Sequence, residues 1–176
     1  MLTDTVYRFH ENNRLAVEQF FLPDEKELLM KTGYTIHEMY GYIEDYATLG
    51  DPSPSTILLI AAARRAFFLT VQRGIVGSAA LLRDADLPRE NDEFQDIAYL
   101  PRIIRKAEAK LYGTLPHNVM YYCAKDRQFL RSHGSIHPAD FLYVVWGAHG
   151  DKQKVVSYVL RAMKESADSE DQLTRM

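Results

Sequence analysis

The chain has 176 residues, of which 47% are hydrophobic and 26% charged, with a formal net charge of −3 and a single cysteine. That length and apolar content suffice for one compact domain without metal or disulfide staples, and Cys123 has no partner for an internal bridge, so a reducing cytoplasm is the expected setting. Met1–His10 lacks the basic region and apolar run of a signal peptide, and the longest apolar stretch, Ile57–Ala63, falls far short of the roughly 20 residues that cross a bilayer, which excludes a membrane partner from the expectations.

In chain order, Asn13–Phe21 and Asp24–Lys31 read as two short helices separated by Pro23, and Gly33 resets the chain after them. Thr35 followed three residues later by Glu38 predicts a reciprocal capping box opening an amphipathic helix to Leu49, with Ile36, Met39, Tyr40, Ile43 and Ala47 on one face and Gly50 as a left-handed stop. Ser53 as N-cap and Pro54 at the first helical position predict a central helix reaching Arg73 and closed by Gly74. Its segments Ile57–Ala63 and Ala66–Leu69 are apolar nearly all round, and Arg65 and Gln72 leave a narrow polar stripe. Ser78–Arg83 reads as a helical turn and Asp84–Asp96 as an acidic surface loop.

The rhythm resumes at Leu100, with Leu100, Ile103, Ile104, Ala107 and Leu111 on one face, Pro101 in the first turn and Gly113 as the stop. Thr114–Lys125 reads as an extended loop, since its β-prone run Val119–Cys123 is too isolated to build a sheet. Asp126–Ser132 forms a short helix ended by Gly134, His137-Pro138 starts another to Trp146, and a last helix follows Asp151 with Val155, Val156, Val159, Leu160 and Met163 inward. The polar run Ser166–Met176 is expected to fray. The fold class expected is therefore all-α, a multi-helix single domain over residues 1–176 with an irregular loop at 114–125.

The block Leu100–Gly113, followed by Tyr122-Cys123, Asp126-Arg127, Phe129-Leu130 and His137–Leu142, resembles a bacterial family catalogued as a domain of unknown function, number 5069. A Leu-Pro-Arg opening, a Lys-Ala helix, a glycine stop, an aromatic beside cysteine and an Asp before paired apolar residues carry the resemblance, over roughly Ile97–Leu160. It implies a small, mainly helical bacterial protein and brings no activity, substrate or catalytic residue with it.

Chemistry-bearing patterns are sparse. His10-Glu11 and His37-Glu38 lack the second histidine of a zinc protease helix, the positions four residues on being Arg14 and Gly41. His133 and His137 have face-sharing spacing, but Gly134 and Pro138 break the helix between them, so His137 reads as a helix cap, His133 as solvent-facing, and no metal or cofactor is expected. No phosphate loop, dinucleotide turn or nucleophile elbow is present, and the tyrosines at 40, 42 and 46 suit packing better than a cofactor box. Asp126–Trp146 has helix–glycine–helix order, yet its second helix, Phe141–Trp146, offers almost no donors to bases or phosphates.

Charge is unevenly distributed. Residues 1–98 carry 9 basic and 16 acidic side chains and residues 99–164 carry 11 and 4, giving regions of −7 and +7. These can attract each other, a second copy in a homo-oligomer, or a partner. The candidate binding residues are Arg102 and Lys106, four apart on one helix, with Tyr122, Cys123, Asp126 and Arg127 from the following loop. Asp126 paired with an arginine would lock loop to helix, or the group would line a pocket for an anion, and Cys123 reads as a small packed residue or as a thiol activated by Lys125 and Arg127. Functionally, a binding or interaction module for an anionic small molecule or an acidic protein partner is expected. A small-molecule enzyme around Cys123 and Asp126 is the alternative, and weak nucleic-acid binding through the basic second half is disfavoured.

Overall fold

The computed structural model describes residues 2–11, 15–75, 80–116 and 118–174. Among them the chain is all-α, as expected, with α1 (Leu2–Glu11), α2 (Val17–Phe20), α3 (Pro23–Thr32), α4 (Ile36–Leu49), α5 (Pro54–Thr70), α6 (Leu100–Tyr112), α7 (Ala124–Ser132), α8 (Pro138–Ala148) and α9 (Lys152–Thr174). A 3₁₀ turn at Asp84–Asp86 and a two-stranded hairpin, β1 (Glu93–Phe94) paired antiparallel with β2 (Ile97–Ala98), interrupt the long connection between α5 and α6.

Local capping chemistry sets most boundaries. Ser53 Oγ accepts from the Thr56 N–H at 3.2 Å and Pro54 occupies the first turn of α5, while His137 Nδ1 accepts from the Ala139 N–H at 3.3 Å at the start of α8. Gly33, Gly50 and Gly113 follow α3, α4 and α6 with φ of +80°, +71° and +71°, the left-handed region that glycine enters without steric cost. Only half of the predicted box forms at α4. Thr35 Oγ1 accepts from the Glu38 N–H at 3.1 Å, but the Glu38 carboxylate turns inward instead of back to Thr35.

Several expected boundaries shift. The segment 2–11, read only for a leader, is helical and buries Thr5 and Phe9 against α4. Of the helix expected over Asn13–Phe21, residues 13 and 14 lie outside the described residues and the rest is helical only at Val17–Phe20, because Leu22 precedes Pro23 and is held extended. The central helix stops at Thr70 rather than Arg73. Of the turn expected at Ser78–Arg83, residues 78 and 79 lie outside the described residues and 80–83 are not helical. The turn forms at Asp84–Asp86 instead. α7 starts at Ala124, two residues before Asp126. The C-terminal segment expected to fray continues α9 to Thr174, with an Arg161–Glu165 pair at 3.9 Å along its exposed surface.

A single apolar cluster joins the elements. Tyr42 and Ile43 from α4, Ile57, Ile60 and Phe67 from α5, Leu100, Ile103 and Leu111 from α6, Phe141 and Leu142 from α8, and Val155, Val156 and Val159 from α9 meet in it. α5 packs against α3, α6 and α8, and α6 also meets α8, so the central position predicted for Pro54 onward is correct. Not all of its apolar surface is buried, however. Leu58, Leu59 and Leu69 are 61%, 50% and 52% exposed, because α5 presents one face inward and, among the described residues, no element covers the other. Leu160 and Met163, expected inside, are likewise exposed. The α7–α8 turn meets α9 closely: a Cβ on Gly134, at φ +96°, would lie 2.5 Å from the Ala162 carbonyl carbon. Among the described residues no helix is long and apolar enough to cross a membrane.

Candidate functional site

The six residues singled out from the sequence separate into three groups. Lys106 and Asp126 form a buried ion pair, with Nζ donating to Oδ2 at 2.5 Å and side chains 3% and 0% exposed. Asp126 is the third residue of α7, and its carboxylate also accepts from the Tyr122 N–H at 2.7 Å, the Cys123 N–H at 3.2 Å and the Tyr99 hydroxyl at 2.8 Å. Three of these four donors share Oδ2, and the Tyr99 hydroxyl takes Oδ1. The lock expected from loop to helix is therefore present, but its cation is a lysine and not an arginine. Lys106 Nζ also reaches the half-buried Cys123 Sγ at 3.3 Å, which fixes the thiol as part of this cluster.

Arg127 belongs elsewhere: its Nη1 donates to Asp45 at 2.9 Å and its Nε lies 3.1 Å from Asp51, tying α7 to the end of α4. Tyr122 supplies a carbonyl to Arg127 Nη1 at 3.1 Å. Arg102, although four residues from Lys106, points to the α5–α6 connection, donating to the Pro88 carbonyl at 2.7 Å and facing Asp84 at 3.6 Å. The six thus do not converge on one pocket. His133, expected in water, is half-buried, stacking on Phe129 at a ring separation of 4.1 Å. Among the described residues no three His, Cys, Asp or Glu side chains are grouped so as to hold a metal ion.

A different group does converge. The C-terminal ends of α3 and α6 meet the middle of α5 and the first turn of α4 around a cleft of about 260 Å³. Lys110, from the last turn of α6, is 2% exposed; its Nζ donates to Glu38 Oε2 at 2.6 Å and sits 3.8 Å from the centre of the Tyr34 ring. Burial pulls the Lys110 ammonium below the usual lysine range, and the Glu38 carboxylate opposes that pull. Tyr34 in turn donates to the Ile57 carbonyl at 2.5 Å, and burial, with Glu38 nearby, pushes its phenol well up.

Beside this pair stands Arg64, from α5. It is 7% exposed, yet its Nε and Nη1 are buried and make no hydrogen bond. Its position is tightly set: a Cβ on Gly33 would lie 2.6 Å from Arg64 Cγ and one on Gly113 2.8 Å from Nη2, so the two glycine stops form the slot through which the side chain passes. The guanidinium carbon lies 5.3 Å from the Phe68 ring centre, and the two helix C-termini supply partial negative charge. Burial lowers the Arg64 pKa and Glu38 counteracts it, but a guanidinium stays protonated at physiological pH.

Sequence reasoning passed over Arg64, Lys110 and Glu38. Arg64 carried a readable signal: it falls on the stripe Ile57, Ile60, Ala61, Phe67 that α5 buries, so a cation in the core was implied by spacing alone. Arg64 thus lines the cleft with a positive charge and two N–H-bearing nitrogens that have no acceptor and no solvent contact, whereas Glu38 and Lys110 pair with each other. Compared with known proteins, the chain matches no family model, no curated protein and no solved structure.

Proposed function

We propose that the chain is a binding module for a small organic anion, with the site at the Arg64 cleft rather than around Asp126. The observation that carries the reading is a guanidinium side chain that lines an open cleft while two of its nitrogens, sealed from solvent, lack any acceptor. Buried polar groups left unpaired cost free energy, of order 1–3 kcal/mol each and more when charged, and an anionic oxygen placed there recovers it. The enzyme alternative gains no support, since the Asp126 carboxylate is fully buried and already engaged by four donors within the fold. Nor does the nucleic-acid alternative. Every basic residue of α6 is already engaged within the chain, Arg102 with Pro88, Arg105 with Glu108, Lys106 with Asp126 and Lys110 with Glu38. The lone cysteine suits a cytoplasmic setting, and the resemblance over roughly Ile97–Leu160 suits a bacterial one.

Thermal unfolding of the full chain with a series of sodium carboxylates, phosphate and sulfate at constant ionic strength tests this. An anion present at 100 times its Kd stabilises by about 2.7 kcal/mol, a rise of roughly 5–10 °C for a chain of this size. The rise is expected in the wild type and not in Arg64→Met. Equal responses of the two proteins, or no response to any anion in the series, would overturn the reading.

A further inference from the structure

The chemical class of the anion follows from the charge and shape of the same cleft. Resting on the reading above, we infer that the ligand is a small monocarboxylic acid with an apolar body, aryl or branched aliphatic, its carboxylate on Arg64 and its body against Met30, Phe68 and Leu115. Three observations support this class.

The buried charges of the cleft are Arg64 and Lys110, both positive, and Glu38, negative, which leaves one net positive charge to be matched. Lys31 on the rim is paired with Glu27 at 2.6 Å, and Arg65 stands exposed, where water screens it. A monoanion neutralises such an interior; a dianion places an uncompensated charge in it. The guanidinium's planar fork matches the two oxygens of a carboxylate; each of its two bidentate edges pairs Nη2 with Nε or Nη1, and both of these lack an acceptor and are sealed from solvent in the ligand-free fold. Most of the remaining wall is apolar, from Leu115, 7% exposed, from Phe68 and from Met30 at the rim, 74% exposed, with Thr32 and Thr35 beside them, and the cleft volume of about 260 Å³ sits just below the roughly 300–1,000 Å³ typical of drug-sized ligands. Acetate would leave most of that wall unfilled, and each apolar carbon added against it removes surface from water.

Titration calorimetry of the full chain with phenylacetate, 3-methylbutanoate, acetate, succinate, inorganic phosphate and benzyl alcohol tests the class. Phenylacetate or 3-methylbutanoate is expected to bind at least tenfold more tightly than acetate, succinate or phosphate. That affinity should fall at least tenfold in Phe68→Ser and in Arg64→Met, and less in Arg64→Lys, which keeps the charge without the fork. Succinate or phosphate binding best, with loss in Arg64→Met, overturns the monocarboxylate class while the anion reading stands. Benzyl alcohol binding as tightly as phenylacetate, or phenylacetate binding unchanged in Arg64→Met, overturns both. If no carboxylate of the set binds but sulfate or phosphate shifts the melting temperature through Arg64, the class falls alone.

Discussion

Two of the places where this molecule buries positive charge differ in what the charge meets. At Lys106–Asp126 the carboxylate receives four donors from three elements of chain, so the ion pair is closed upon itself. At Arg64 the guanidinium is held by packing, between two glycines and beside Phe68, while two of its nitrogens find no oxygen. Burial alone therefore does not mark a site. Unused bonding capacity beside a cleft is the better guide, and by that criterion the overlooked arginine is a stronger candidate than the cluster closed around Asp126.

The largest effect that would sharpen this contrast is at the closed pair. Asp126→Ala leaves the Lys106 ammonium buried without a counter-charge and strips the acceptor from Tyr99, Tyr122 and Cys123, so a loss of about 3–5 kcal/mol is expected in urea unfolding. A loss below about 1 kcal/mol would mean that the pair is not closed in solution. Arg64→Met should behave in the opposite way. Replacing an unpaired buried charge by an apolar side chain of similar length is expected to leave ligand-free stability unchanged or raise it by about 1 kcal/mol. A destabilisation as large as that of Asp126→Ala would erase the distinction drawn between the two regions.

The smallest effect concerns another ion pair, partly open to water, between Arg8 of α1 and Glu25 of α3. Arg8 Nη1 donates to Glu25 Oε2 at 2.8 Å, and the Leu22 N–H donates to the same oxygen at 2.8 Å. Burial would raise the Glu25 pKa, but these hydrogen bonds outweigh it and hold the carboxyl below its ordinary value of 4.5. A carboxyl depressed in the folded state stabilises fully above that ordinary value and ceases to do so as pH falls through the folded one. The wild type should therefore be more stable than Glu25→Gln at neutral pH, with the difference vanishing on acidification. Unfolding midpoints of both proteins between neutral pH and pH 3 measure it, and a difference independent of pH would show that the hydrogen bonds do not depend on ionisation.

Helix starts and stops were the most legible part of the fold because capping is local. Ser53, His137, Gly33, Gly50 and Gly113 act within a few residues of themselves, and each does what its position in the chain implies. Pattern reading failed where a polar residue had a distant competitor. Glu38 satisfied every local criterion for a capping-box partner, yet Lys110, 72 residues away, claims its carboxylate, since an ion pair shielded from water outweighs a bond to one backbone N–H at the surface. Asp126 was recognised as a lock, but nothing local distinguishes Lys106 from a neighbouring arginine as its partner; the turn of α6 that faces α7 decides. The cleft was illegible for a related reason. It exists only where the ends of α3 and α6 meet the flank of α5, and no stretch of sequence contains that meeting.

The turn at Gly134 bears on the last helix in a way that its apolar residues do not. Valines grip a partner surface but tolerate slight sliding, whereas the bare α-carbon of Gly134 is nested against the peptide group joining Ala162 and Met163, a seat with no room for a methyl. That notch fixes α9 along its own axis. The polar turns from Lys164 to Thr174 extend beyond the seat like a beam clamped at one end, so their bearing in space is dictated by a residue 30 positions earlier than the beam begins.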